Sequence, residues 1–169
     1  MEGCLIVDGY NVLHGWTSMA KLLAEDVEHA RDRLVHQLSN FGATQGIKVV
    51  VVFDAHLVKG GQGSTEEWGG VKVIYTPEGV TADMAIEKLA VRLAGRNKIT
   101  VASSDWAEQR LVFGQGAVRM SARELETEVL AAETESKAYK EYTEPVESGI
   151  RGQLTKEIKE VLEKIRRSK

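Results

Sequence analysis

A chain of 169 residues, 43% hydrophobic and 28% charged, suits one ordinary globular domain and is too short for two comfortable ones. No apolar run approaches the roughly 20 residues that cross a bilayer, no basic region or cleavage site precedes the first strand, and a net charge of −3 gives no basic footprint for long duplexes. The single cysteine, Cys4, can form no internal disulfide, which fits a reducing cytoplasm and a buried structural thiol.

The chain opens on Leu5-Ile6-Val7, a short apolar run that stops at Asp8. Such a run predicts a strand buried on both faces, with the carboxylate at its carboxyl end, where open α/β sheets bind ligands. Gly9 then permits close approach, and Asn11 adds an amide that both donates and accepts. The plain alternative is an Asp/Asn turn. Residues 14–19 read as a loop. A helix is expected over 22–41, because Val27, Ala30, Leu34, Leu38 and Phe41 recur at helical spacing. Arg31 and Arg33 lie on or beside its polar face, as solvated charges or as phosphate contacts.

Residues 47–53 give the clearest central strand, an unbroken Val49-Val50-Val51-Val52-Phe53 ended by Asp54. The stretch 55–70, polar and glycine-rich with Lys59, lacks the GxxxxGK[ST] spacing of a phosphate loop and predicts a mobile surface loop. Trp68 within it is a base-stacking or a packing residue. Val71 to Tyr75, which includes Lys72, alternates as a strand, and Pro77 and Gly79 turn the chain. Thr81 fits an N-cap for a helix with Ile86, Leu89, Ala90 and Leu93 inward. Asp83 falls in its first turn, with Glu87 one turn on along the same face.

Ile99 to Ala102 predicts another strand, running into Ser103-Ser104-Asp105 and a helical segment over 106–112 that contains Arg110. Ala117 to Met120 reads as a last short strand. Ser121-Ala122-Arg123-Glu124 is a capping box, opening a helix with Leu125, Val129 and Leu130 inward. Residues 143–152, with Pro145, break it. Leu154, Ile158, Leu162 and Ile165 then mark an amphipathic tail helix, docked on the domain or presented to a partner. The expected organisation is a domain over 1–142 followed by a linker and C-terminal helix over 143–169.

Strands alternating with helices imply a mostly parallel sheet. Asp8, Asp54 and Asp105 then stand at carboxyl ends of strands and Asp83 at the start of a helix, so all converge on one rim. Gathered carboxylates repel one another unless a cation neutralises them. Oxygen donors without a His or Cys cluster favour Mg²⁺ or Mn²⁺ over zinc. A divalent ion held in this way suits phosphoryl chemistry, because it can activate water and stabilise a leaving oxygen.

Val7-Asp8-Gly9-Tyr10-Asn11, Phe53-Asp54, Thr81-Ala82-Asp83, Ser103-Ser104-Asp105 and Gly116-Ala117-Val118 with Ser121 to Leu125 together resemble the YacP-like NYN domain family of the PIN-like nuclease superfamily. The resemblance implies a three-layer α/β/α PIN-like domain and a metal-dependent endoribonuclease, with Asp8, Asp83 and Asp105 as catalytic residues holding Mg²⁺ or Mn²⁺. It gives Asn11 the orientation of Asp8 or of a phosphate, makes Asp54 an additional acidic member, and lets Ser103 bond Asp105 or a phosphate oxygen; Glu87 is a weaker supporting candidate. It also implies mRNA as substrate, with the ribosome as a possible partner. Arg31, Arg33, Lys59, Lys72 and Arg110 are the candidate RNA contacts, on single strands rather than duplex. No membrane partner is expected, and the chain is read as a monomer or weak dimer.

Two other classes compete. An aspartyl-nucleophile phosphatase built on Asp8 wants a second Asp where Tyr10 stands. A non-catalytic RNA- or ribosome-binding module with the same fold is the alternative, opposed by the intact acidic set. A dinucleotide-binding domain fails for want of GxGxxG after the first strand.

Overall fold

Aliphatic runs with no polar interruption are satisfied by strands covered on both faces. In the computed structural model, which describes residues 2–104, 116–147, 161, 162 and 164, the two such runs lie side by side at the centre of one sheet. They are β1 (Glu2–Asp8) and β2 (Lys48–Phe53). The other strands are β3 (Ser64–Trp68), β4 (Val71–Tyr75), β5 (Asn97–Ala102) and β6 (Val118–Met120). Among the described residues the order across the sheet is β3-β4-β2-β1-β5-β6. Every pairing is parallel except the β3–β4 hairpin at one edge.

The helices are α1 (Gly9–Gly15), α2 (Ala20–Glu25), α3 (Val27–Gln45), α4 (Ala82–Leu93) and α5 (Ala122–Glu147), with a 3₁₀ turn at Thr17–Met19. Successive strand residues point to opposite faces, and the packing follows that alternation. Cys4, Ile6, Val50, Val52, Ile99 and Val101 form one core layer with Ala82, Ile86 and Ala90 of α4. On the other face Gly42 of α3 lies so close to β2 that a Cβ there would come within 2.9 Å of Val49 Cγ2. Full burial of side chains such as Ile6 and Val51 contributes about 1.5–3 kcal/mol each. The fold is therefore a mixed α/β domain with a mostly parallel central sheet flanked by helices, as expected. Among the described residues no helix is long and apolar enough to cross a membrane. The chain divides into two compact units, Met1–Leu130 and Ala131–Lys169, with α5 contributing to each.

Several local expectations are corrected. Residues 9–15, partly read as loop, form α1. The helix expected over 22–41 is two helices, because Asp26 adopts an extended backbone (φ −153°) and accepts a bond from His29 N at 3.0 Å, starting α3 anew. Val27, at the first helical position, is consequently exposed. The 55–70 stretch is not all loop. Its second half is β3, joined to β4 by Gly69-Gly70 with φ of 56° and 82°, the left-handed pair that a tight hairpin turn requires. All five residues of β3 are exposed, so no alternation of apolar and polar residues marks it as a strand. Leu130 is 44% exposed rather than inward, and α5 runs on to Glu147, past the break expected from residue 143. The Ala-, Glu- and Lys-rich sequence before Pro145 favours that continuation. The 106–112 segment lies outside the described residues, as does the tail stripe apart from Leu162, which is exposed.

Candidate functional site

Parallel strands bring their carboxyl ends to one edge, and the register sets the height of each residue there. Asp8 ends β1 opposite Val52 and is 8% exposed. Val7 pairs with Ala102, so Ser103, the next residue along, stands level with Asp8 on the adjoining strand. Ser103 is buried, and its N–H donates to the Met120 carbonyl at 2.9 Å.

Asn11, in the first turn of α1, uses its side-chain oxygen to accept the Ser104 N–H at 2.7 Å. Ser104 Oγ accepts the Ala122 N–H at 3.1 Å, and the Ala122 carbonyl accepts the Trp16 indole N–H at 2.8 Å. These bonds close a ring through α1, the end of β5, the start of α5 and back to the residue after α1. The chain leading into Asp105 is thus fixed from both sides. Trp16 is 1% exposed, so its buried N–H needs that carbonyl.

Asp54 follows β2 and turns toward α4. Its Oδ2 accepts the Ala82 N–H at 3.1 Å, while Oδ1 accepts the His56 N–H at 3.0 Å and contacts the His56 ring. Thr81 Oγ1 accepts the Met84 N–H at 3.3 Å. Two helix-start donors that would otherwise lack partners are thereby capped, and Asp83 sits in the turn they secure. Burial alone would raise the Asp54 carboxyl; the bonds from His56 and Ala82 outweigh it and hold the group below the usual carboxylate range. Glu87 lies one turn further along α4, partly buried.

Gly9 is a steric requirement of this edge. A Cβ there would fall 2.4 Å from the Phe53 ring, which is fully buried and packed on both Tyr10 (centroids 5.1 Å) and Tyr75 (5.5 Å). Arg31 Nη1 donates to the Tyr10 hydroxyl at 2.9 Å and lies over the Tyr75 ring at 5.8 Å. Burial pushes the Tyr75 phenol up, with the Arg31 charge opposing.

The other candidates spread out. Arg33 is exposed on α3, and Lys59 is exposed beside Gly60, whose N–H donates to Glu78. Lys72 faces Glu67 across the hairpin, three residues short of the end of β4, and so stands away from the rim. Asp105 and Arg110 lie outside the described residues. Among the described residues no three His, Cys, Asp or Glu side chains are grouped to hold a metal ion. Asp8 and Asp83 supply hard carboxylate oxygens, and one or two carboxylates with waters and substrate phosphates are a usual Mg²⁺ environment.

Sequence reasoning missed Tyr10, His56, Thr76 and Glu126. Thr76, 1% exposed, accepts the Ala55 N–H at 2.8 Å and shapes the chain after β2. Glu126, 8% exposed, accepts from Ser18 Oγ at 2.7 Å, Ser18 N at 3.3 Å and Thr17 Oγ1 at 3.3 Å. Nothing local distinguishes it from the other glutamates of α5. Cys4 is buried, and its thiol is pushed up by that burial, which fits an inert structural role.

Comparison with known proteins identifies the family and the fold. A family model described as YacP-like NYN domain matches residues 5–167. The uncharacterized protein YacP of Bacillus subtilis (strain 168) is 42% identical over 166 residues, which is 96% of this chain and 96% of the relative. The crystal structure of Rae1 (YacP) from Bacillus subtilis is 41% identical and superposes with a TM-score of 0.73, covering 99% of this chain and 95% of that one. A Trp-to-Leu variant of Rae1 gives a TM-score of 0.68 at 42% identity, over 80% of this chain and 79% of the other.

Proposed function

This chain belongs to the YacP-like NYN domain family, and from that premise we propose that it is a metal-dependent endoribonuclease acting on single-stranded RNA. Membership carries a nuclease-type fold and a nuclease-like, RNA-related role. The substrate class, the metal and the site of action are our extension. The observation that carries the proposal is the position of Asp8, at the buried end of the central strand, level with Ser103 and beside the Asn11–Ser104 clamp.

Asp8 and Asp83, with Asp105 as the third member, are the residues that would hold Mg²⁺ or Mn²⁺. When bound, such an ion supplies an activated water and stabilises the leaving oxygen of a phosphodiester. The chain's own part is placement. Asp54 and Thr81 fix the turn that bears Asp83. The Asn11–Ser104–Ala122–Trp16 ring fixes the approach to Asp105 and keeps α1 against the end of β5. Attack by water with departure of the 3′-oxygen would leave a 5′-phosphate and a 3′-hydroxyl. We take mRNA, presented on the ribosome, as the natural substrate.

The test incubates end-labelled single-stranded RNA, free and on programmed ribosomes, with wild type and Asp8→Asn, under Mg²⁺, Mn²⁺ or EDTA. Metal-dependent cleavage reduced at least about a hundredfold in the variant is expected, since even outer-shell partners of a metal are worth 10–100-fold. RNA retained without cleavage by folded wild type in every condition would replace the nuclease with a binding module.

A further inference from the structure

A groove of about 500 Å³ lies between α3 and the β3–β4 hairpin, reaching from Tyr75 at the rim end of β4 to Trp68, which pairs with Val71 at the other end. Arg31, Arg33, His36, Trp68 and Tyr75 line it. Three features set it apart from an ordinary surface crevice. Trp68 is 51% exposed although it sits in a strand, and its ring makes a tilted contact with His36 at 5.6 Å and 58°. The hairpin carrying it is tied down, because the Ser39 hydroxyl of α3 donates to the Gly69 carbonyl at the turn. The indole is therefore held in place while its surface stays available.

The second feature is the pair of arginines. Arg31 spends one N–H on Tyr10 and rests over the Tyr75 ring, which presets its guanidinium and leaves further donors of its five. Arg33 is exposed two residues on. The third is continuity with the rim. Tyr75 packs on Phe53, Phe53 packs on Tyr10, and Tyr10 stands between Asp8 and Asn11 in sequence. The wall of the groove and the end of β1 thus share one aromatic cluster.

We propose that this groove is the channel for a single-stranded RNA segment leading away from the scissile bond, with Trp68 at its far end stacking on a base and Arg31 and Arg33 contacting the intervening phosphates. The inference rests on the ribonuclease reading and extends it to named subsites. Stacking on an exposed indole needs an unpaired base, so the channel selects single strands over duplex. Asp32 and Glu66 line the same groove and offset the two arginines. Binding here is consequently governed by stacking, with a shallow dependence on salt, unlike that of a basic surface that collects any polyanion.

The test reads binding without turnover, in the full chain carrying Asp8→Asn, by fluorescence anisotropy of a short mixed-sequence single-stranded RNA. Adding Trp68→Ala is expected to weaken binding about tenfold, within the range for loss of one base–aromatic stack. Trp68→Phe restores most of it, and the matching duplex competes poorly. Arg33→Ala reduces the slope of log affinity against log salt by about 0.7, one single-strand phosphate contact. Equal affinity in Trp68→Ala with an unchanged circular dichroism spectrum overturns the proposal, as does a folded parent that binds no RNA. So does a Trp68→Ala protein that keeps its RNA and loses only a protein or ribosomal contact. Wild-type cleavage with an unaltered KM in Trp68→Ala removes the channel and spares the nuclease. Binding lost in Trp68→Ala, with no cleavage by wild type in any metal, does the reverse.

Discussion

Asp54 shows how one carboxylate at the end of a strand can order the start of a helix. It accepts from Ala82 N, His56 N and the His56 ring, and so ties the end of β2 to the start of α4. Its depressed ionisation gives a definite pH dependence. Because the folded value lies below the unfolded one, near 3.9 for an ordinary Asp, the stabilisation is complete above that value. It is lost as pH falls through the folded value. Asp54→Asn is therefore expected to lower stability by about 1–2 kcal/mol at pH 7, as for weakened bonds to a charged acceptor. The gap to wild type should close on acidification below about pH 4, the carboxylate range. Urea midpoints of the two proteins at neutral and acid pH measure both effects. A gap that widens in acid would contradict the assignment of these bonds to the ionised carboxylate. Gly9 is a different case, a position where any side chain meets the buried Phe53 ring. Asp8 and Asn11, on either side, depend on that empty space.

At the scale of elements, the start of α5 is held to the turn after α1 by two independent groups. The Trp16 indole reaches the Ala122 carbonyl, and Glu126 gathers Ser18 and Thr17. Removing the buried carboxylate leaves those donors without their partner, so Glu126→Ala should cost about 2–3 kcal/mol. The melting temperature falls accordingly, and Glu126→Gln, which keeps an acceptor, recovers part of the loss. A melt unchanged by Glu126→Ala would show that this junction does not hold α5 in place. The β3–β4 hairpin was written in the chain as Gly69-Gly70 before Val71, a two-residue hairpin signal. Ser64–Trp68 is exposed throughout and buries no face, so no period of two marks it as a strand. The split at Asp26 is similar: a capping residue inside a helical pattern restarts the helix, and the apolar spacing on either side hides the boundary.

At the scale of the molecule, a site assembled from the ends of several strands couples ligand binding to the stability of the whole sheet. A divalent ion that binds only the folded chain must stabilise it, by about 2.7 kcal/mol at a hundred times its dissociation constant, and so raise its melting temperature. Mn²⁺ should therefore stabilise wild type, EDTA should reverse the gain, and Asp8→Asn should show little of it. An equal shift in both proteins would place the ion elsewhere. The sequence by itself determined the buried strands at Leu5-Ile6-Val7 and Val49 to Phe53, the Thr81 cap, the Ser121–Glu124 box and the order of the acidic residues. Each depends on neighbours within a few positions, where hydrophobic period and capping chemistry act directly. Only the tertiary structure decided that Asn11 grips Ser104, that Glu126 is buried against Ser18, and that Trp68 and Arg31 share a groove. The two hydrogen bonds join residues 93 and 108 positions apart. No local pattern encodes them, because they exist only once the parallel register has set the strand ends side by side.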